Sequence, residues 1–208
     1  MIRVFLADDH TIVRSGIRNL FTTAGDITVV GEAADGRAAL NALETLPCDV
    51  VVLDLSLPKI GGAEVLRRVR EQRPNLPILV LSMYSEAQYG LRMLREGASG
   101  YLSKDRTEHE LIAAVRQVAQ GKTYLTPTVA EQAVQETDSD APLHTKLSAR
   151  EYQVFILLSH GQTVSDIAAE LNLSASTVSN YVFHIKEKLH LKSSGEIIAY
   201  AHRAGLVD

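Results

Sequence analysis

Five polar side chains in the first half of the sequence stand at or just after the ends of short apolar runs. They are Asp8, Asp9, Asp54, Ser82 and Lys104. Carboxylates that are brought together repel one another, and a divalent cation with oxygen ligands relieves that repulsion. A lysine supplies a positive charge for a phosphoryl oxygen. These residue types therefore predict phosphoryl transfer to a carboxylate, with Mg²⁺ and the lysine neutralising the phosphoryl oxygens.

Alternating strand and helix patterns over residues 2–120 would bring these side chains to one edge of a sheet. The predicted strands are Ile2–Leu6, Ile27–Val30, Val50–Leu53, Ile78–Leu81 and Gly100–Leu102. The central strands are apolar without alternation, as in strands covered on both faces, and amphipathic helical patterns separate them. We therefore expect five βα units in a doubly wound parallel sheet, an α/β fold whose ligands bind beyond the carboxyl ends of the strands.

Hydroxyl side chains before apolar periodic segments mark the starts of several helices. The predicted capping boxes pair Ser85 with Gln88, Ser148 with Glu151 and Thr163 with Asp166. Such a box satisfies backbone N–H groups that have no partner in the first turn of a helix. Ser174 is predicted to cap a longer helix, and Thr126-Pro127 begins a short one that reaches about Gln135.

The first half of the chain resembles the receiver domain of two-component response regulators. The matching residues are Asp8, Asp9, Asp54, Pro58, Gly62, Ser82, Tyr101 and Lys104, within residues 1 to about 120. The resemblance implies a flavodoxin-like fold in which Asp54 is the phosphoacceptor and Lys104 contacts the phosphoryl group. It further implies that Ser82 swings to bond that group and that Tyr101 moves inward with Ser82.

The resemblance also implies a magnesium site. Asp9 would bind the ion directly, Asp8 would act mostly through water, and Asp54 and the main-chain carbonyl of Ser56 would complete the protein ligands. An enzyme such as an aspartyl-phosphate phosphatase is a weaker interpretation, because it needs an acid/base carboxylate two residues after the nucleophile, where this chain has Ser56. A second alternative is a phosphorylation-independent regulator that acts by protein docking, although decayed receivers usually lose one of the site residues.

The pattern after Gly121 changes to helices alone. We predict a receiver over residues 1–121, a linker over 122–144 and an all-α domain over 145–208. The linker would hold the short helix that begins near Thr126-Pro127 and an acidic tether, Glu136–Pro142, whose composition is typical of weakly structured chain.

The last 62 residues resemble the LuxR-type helix-turn-helix domain of NarL/FixJ-class regulators. The match is carried by Leu147–Glu151, Gly161, Asp166–Ala168, Leu171, Ser174, Thr177, Val178, Ile185, Lys188, Leu189 and Gly205–Val207. In that arrangement the helix after Ser174 enters the major groove of DNA and the last helix pairs two subunits. The expected DNA contacts are Ser174, Ser176, Thr177, Ser179, Asn180, Phe183, Lys186 and Lys188, and the expected dimer contacts are Glu196, Ile197 and Tyr200.

The sequence departs from this family where DNA would be touched. Ser179 and Phe183 stand at positions where basic residues are common, and residues 147–208 hold five basic and six acidic side chains. Fewer phosphate contacts predict weaker binding by a monomer, a shallower salt dependence and reliance on dimerisation. Asn180 and Ser179 remain able to read base edges. A helical domain that docks proteins and has lost DNA contact is the alternative.

Composition sets limits on the function class. The chain has 208 residues, 46% of them hydrophobic and 22% charged, as in folded globular domains. Its apolar runs are shorter than the ~20 residues of a transmembrane helix, and the N-terminus lacks a secretory pattern. A single cysteine, Cys48, suits a reducing compartment. We therefore expect a cytoplasmic protein without a membrane partner. Its net charge of −4 argues mildly against general nucleic-acid binding.

Together these patterns predict a phosphorylation-activated transcription regulator, and not an enzyme. A sensor histidine kinase is expected to phosphorylate Asp54 in the presence of Mg²⁺. The phosphorylated chain is expected to form a homodimer and to bind a double-stranded DNA operator.

Overall fold

The computed structural model describes residues 1–135 and 142–207. The chain divides into two compact units, Met1–Thr137 and Asp138–Asp208. The predicted acidic tether falls outside the described residues, apart from Pro142. None of the helices in the described ranges is long and apolar enough to cross a membrane.

The first unit is built on a parallel sheet of five strands, which confirms the predicted doubly wound α/β fold. The strands are β1 (Ile2–Ala7), β2 (Ile27–Ala33), β3 (Val50–Leu53), β4 (Ile78–Ser82) and β5 (Gly100–Ser103). Their spatial order is β2-β1-β3-β4-β5, with every neighbouring pair parallel. The residues of β3 and β4 are all buried, because helices cover both faces of the sheet.

Helices alternate with these strands. They are α1 (Thr11–Ala24), α2 (Gly36–Thr45), α3 (Gly62–Gln72), α4 (Glu86–Arg95), α5 (Glu108–Ala119) and α6 (Pro127–Gln135). The predicted capping box at the start of α4 is wrong, because the side chain of Ser85 makes no capping hydrogen bond. The first residue of that helix, Glu86, is instead turned into the unit, where it accepts a hydrogen bond from the backbone of Ser103.

The segment over residues 122–135 belongs to the first unit, whereas the sequence pattern assigned it to a linker. Tyr124 forms a parallel bridge with Gly100 of β5, and α6 packs on α4. Val129 is buried against Gly90 so closely that a Cβ atom on that glycine would lie 2.4 Å from a methyl group of Val129. The periodicity of α6 shows an apolar face, but not the partner that covers it.

The second unit is helical in its described part, as predicted. A 3₁₀ helix (Leu143–Lys146) precedes α7 (Ala149–Ser159), α8 (Val164–Glu170), α9 (Ala175–Leu189) and α10 (Ser194–Arg203). The capping boxes Ser148–Glu151 and Thr163–Asp166 are confirmed, and Ser174 caps α9 by accepting a hydrogen bond from the backbone of Thr177. These caps define the start of each helix, so the turn between α8 and α9 falls where the sequence predicts it.

Candidate functional site

An acidic cluster lies at the carboxyl ends of β1 and β3. Asp8 and Asp54 are only 1% and 2% exposed, whereas Asp9 is open to solvent. Potential metal-ligand atoms of Asp8, Asp9, His10 and Asp54 all lie within 4.8 Å of one another. The structure therefore brings together the three aspartates that the sequence predicts. It adds His10, whose ring Nδ1 lies 2.8 Å from Oδ1 of Asp9 and which is not among the predicted site residues.

Lys104 lies between the two buried carboxylates. Its Nζ atom is 2.6 Å from Oδ2 of Asp8 and 2.8 Å from Oδ2 of Asp54. Burial raises the pKa of Asp54, and the ammonium group of Lys104 opposes that rise. Burial would lower the pKa of Lys104, but the two carboxylates outweigh it and raise that pKa, so the lysine stays charged. The backbone amide of Lys104 donates to the carbonyl of Ser82, which holds the main chain of Lys104 beside the end of β4.

The charge and donor set of this cluster fit a hard divalent cation. One ammonium group faces two buried carboxylates, and Asp9 adds a third carboxylate at the opening. Mg²⁺ prefers oxygen ligands, and its positive charge would neutralise this excess of negative charge. The backbone amide of Ser56 donates to Oδ1 of Asp54, which keeps the chain after β3 against the carboxylate.

Ser82 and Tyr101 are joined by a side-chain hydrogen bond, and both also contact the backbone of Tyr84. The Tyr84 amide lies 3.4 Å from Oγ of Ser82, and the Tyr101 hydroxyl donates to the Tyr84 carbonyl at 2.8 Å. Tyr101 is buried and points inward in this structure, and burial raises its pKa far above the usual value, so the hydroxyl remains a donor. The link through Tyr84 is invisible in the sequence, because it uses main-chain atoms.

An ion pair between the buried Glu86 and the exposed Arg106 lies next to this region, on the side of α6. The Glu86 carboxylate is 2.7 Å from Nη2 of Arg106, and it also accepts hydrogen bonds from the Ser103 amide and the Thr126 side chain. Burial opposes ionisation of Glu86, but these donors hold its pKa below the usual range. Glu86 therefore joins α4, the segment after β5 and the start of α6. Nothing in its sequence context distinguishes it from an ordinary first-turn glutamate.

The helix predicted to read DNA, α9, has one buried and one exposed face. Val178, Val182, Ile185 and Leu189 are buried. Of the predicted DNA contacts, Ser174, Ser176, Ser179, Asn180, Phe183 and Lys188 are exposed, whereas Thr177 and Lys186 are partly buried. Most of the predicted side chains are thus available at the surface of the second unit.

Lys188 is engaged within the second unit. Its Nζ atom lies 2.6 Å from Oε2 of Glu151, a buried carboxylate that also caps α7. Burial opposes ionisation of Glu151, but Lys188 and Ser148 outweigh it and lower the pKa of this carboxyl group. The Lys188 side chain is nevertheless 42% exposed, so its contact with DNA stays a prediction.

The three predicted dimer residues of α10 lie in different environments. Ile197 is completely buried in its own unit, which corrects the expectation that its side chain contacts a second subunit. Glu196 is exposed and accepts a hydrogen bond from the backbone of Lys192. The Tyr200 hydroxyl accepts a hydrogen bond from the backbone of His144, and its ring packs edge-on against Phe155.

Two family models match the chain. A response regulator receiver domain matches residues 4–116, and the model for bacterial regulatory proteins of the luxR family matches residues 145–201. The two matches lie in different units of the structure, the first on the sheet and the second on the helical part.

Relatives match over the whole length of the chain. Response regulator UvrY of Escherichia coli (strain K12) is 35% identical, over 100% of this chain and 97% of the relative. Response regulator GacA of Pseudomonas aeruginosa is 34% identical, over 100% and 99%. A solved structure of RcsB from Salmonella enterica serovar Typhimurium, bound to promoter rprA in the presence of phosphomimetic BeF3-, has a TM-score of 0.68 at 27% identity, covering 96% and 97%. The chain belongs to the response regulators that join a receiver domain to a LuxR-type regulatory domain.

Proposed function

We propose that this chain is a transcription regulator whose DNA binding is switched on by phosphorylation of Asp54. The observation that carries the proposal is the contact of one lysine, Lys104, with two buried aspartates at the carboxyl edge of the sheet. A charged lysine beside a buried carboxylate suits a group that will receive a phosphoryl group, because the lysine is already placed to meet the new negative charge.

The phosphoryl donor in this proposal is a phosphohistidine of a sensor kinase. A carboxylate oxygen of Asp54 attacks phosphorus, the new P–O bond forms as the P–N bond breaks, and the imidazole leaves with the bonding electron pair. Lys104 then shares its charge between Asp8 and the phosphoryl group. When bound, Mg²⁺ would neutralise phosphoryl oxygens, and Asp8, Asp9, Asp54 and the Ser56 carbonyl are the groups that would hold it.

Activation is proposed to pass through Ser82 and Tyr101. If Ser82 rotates toward the phosphoryl group, its hydroxyl moves away from the Tyr84 amide. The carbonyl of Tyr84 accepts the hydrogen bond of the Tyr101 hydroxyl. A change at Ser82 therefore reaches Tyr101 both through their own hydrogen bond and through the backbone of Tyr84. Such a change shifts the equilibrium between two existing states of the receiver and does not create a new state.

The proposed output is a homodimer on an operator in which each α9 enters a major groove. The solved RcsB structure is bound to promoter rprA in the presence of phosphomimetic BeF3-. Its similarity over both units of this chain supports the same arrangement here. Because operator DNA lies in the bacterial cytoplasm, this function places the chain there. Because α9 has few basic groups, we expect DNA binding to depend on dimerisation. The binding free energies of two weak half-site contacts combine when both subunits are on one DNA molecule.

Intact-mass measurement of the full chain with a small phosphodonor and Mg²⁺ tests the proposal. We expect a gain of one phosphoryl group that is absent in Asp54→Ala and kept in Asp35→Asn, a control aspartate at the start of α2. Phosphorylation should also raise operator affinity in a gel-shift titration. A mass gain that survives Asp54→Ala would overturn the assignment. Absence of any gain, with operator binding unchanged, would favour the phosphorylation-independent docking regulator.

A further inference from the structure

One face of α9 carries a stripe of exposed side chains that the second unit leaves uncovered. They are Ser176, Ser179, Asn180, Phe183 and Glu187. Their spacing of three or four residues places them on one side of the helix, opposite the buried face. Phe183 is 61% exposed and is the one large apolar side chain with high exposure among the described residues of this unit.

The first turn of α9 uses its hydroxyl groups for capping. The Ser174 hydroxyl lies 2.8 Å from those of both Ser176 and Thr177, and it accepts a hydrogen bond from the Thr177 amide. In contrast, the side chains of Ser179 and Asn180 have no hydrogen-bond partner within residues 142–207. The hydroxyl of Ser179, the amide of Asn180 and the ring of Phe183 are therefore available to an external ligand.

The chemistry of the stripe excludes the commonest kind of base reading. A lysine or arginine that bonds guanine through two acceptors is the usual specific contact in a major groove. The stripe has no basic residue, Lys186 is partly buried, and Lys188 is held by Glu151. A side-chain amide suits adenine, which offers one donor and one acceptor, and an apolar side chain suits the methyl group of thymine.

We propose that Asn180 and Phe183 select A·T base pairs in each half-site. Asn180 would bond adenine N6 and N7, and Phe183 would pack on the methyl group of a thymine. Side chains three residues apart on a helix have Cβ atoms about 5–6 Å apart, against about 3.4 Å between base pairs, so the two residues can reach the same pair or neighbouring pairs. This inference rests on the proposed binding of DNA by α9.

Modified operators test each contact directly. Sites are first selected from random DNA with the phosphorylated full chain. Each thymine of the selected site is then replaced by uracil, which lacks the methyl group, and each adenine by 7-deazaadenine, which lacks N7. We expect about a fivefold to tenfold loss of affinity at one thymine and at one adenine per half-site.

The variants assign those losses to residues. Phe183→Ala should bind the thymine and uracil operators equally, and Asn180→Ala should bind the adenine and 7-deazaadenine operators equally. His160→Ala, an exposed position at the end of α7 and outside α9, should keep both sensitivities. Wild-type protein that binds DNA but discriminates neither modification would overturn this inference and leave the proposed function standing. Failure to bind any selected DNA would overturn both.

Discussion

The Nζ atom of Lys104 lies 2.8 Å from Oδ2 of Asp54, a residue 50 positions earlier in the chain. This contact joins the end of β3 to the segment after β5, across the carboxyl edge of the sheet. It keeps a positive charge beside the proposed phosphoacceptor when no phosphoryl group is attached. The same ammonium group also contacts Asp8, so a divalent cation at this site must share both carboxylates with the lysine.

Replacing Lys104 by methionine is expected to destabilise the first unit and to strengthen its response to Mg²⁺. Asp8 and Asp54 would become buried carboxylates without a cation, at a cost of about 3 kcal/mol of unfolding free energy. Because the ion would then meet two uncompensated carboxylates, excess Mg²⁺ should raise the thermal midpoint more in Lys104→Met than in the wild type.

Thermal unfolding in EDTA and in excess Mg²⁺ measures both effects. Lys59→Met is the matched control, since Lys59 forms an exposed ion pair with Asp35 whose loss is expected to cost less than about 1 kcal/mol. An equal or smaller Mg²⁺ response in Lys104→Met would contradict a shared site.

Glu151→Gln is expected to destabilise the second unit in a pH-dependent way. The variant keeps the side-chain volume and a capping oxygen but loses the charge that faces Lys188, at a cost of about 1–2 kcal/mol at pH 7. The folded state lowers the pKa of Glu151, so its contribution is fully present above the unfolded value of about 4.3 and is lost as pH falls through the folded value.

Urea unfolding followed by hydrogen exchange in residues 147–207 gives the free energy of the second unit in the full chain. The difference between wild type and Glu151→Gln should be constant from pH 7 to about 5 and should shrink below about pH 4. In the double variant Glu151→Gln/Lys188→Met both partners of the ion pair are replaced, so this variant is the control for loss of the whole pair. A difference that grows in acid would show that the ion pair does not stabilise this unit.

The packing of α6 on α4 predicts coupling between Gly90 and Val129. Gly90→Ala improves helix propensity by about 1 kcal/mol, but its new methyl group meets Val129, and overpacking costs about 1–3 kcal/mol. We therefore expect net destabilisation in the wild-type background. In a Val129→Ala background the clash is gone, so Gly90→Ala should be neutral or stabilising.

A double-mutant cycle of unfolding free energies measures this coupling, with hydrogen exchange over residues 127–135 as a second readout. Exchange in α6 should be faster in Gly90→Ala than in the wild type and should respond little to the same change when Val129 is alanine. Additive free energies in the cycle would show that α6 does not rest on α4.

The sheet and the helix starts could be predicted because their signals are local. Strands covered on both faces appear as continuous apolar runs, and a capping residue stands next to the helix that it caps. Ser85 is the exception among the predicted caps. Ser85 precedes a helix as expected, but its side chain makes no capping hydrogen bond. The first residue of that helix, Glu86, accepts a hydrogen bond from Ser103, which is distant in the sequence.

Sequence alone determined which residues could gather at the phosphoryl site, since parallel strands place Asp8, Asp54 and Lys104 at one edge. It also determined that α9 would lack positive charge in its first half. Only the tertiary structure decided that Lys188 is held by Glu151 and that Ile197 is buried. The docking of α6 on α4 was decided there as well. The physical reason is that periodicity specifies which face of an element is apolar, whereas the partner of that face depends on how distant segments pack.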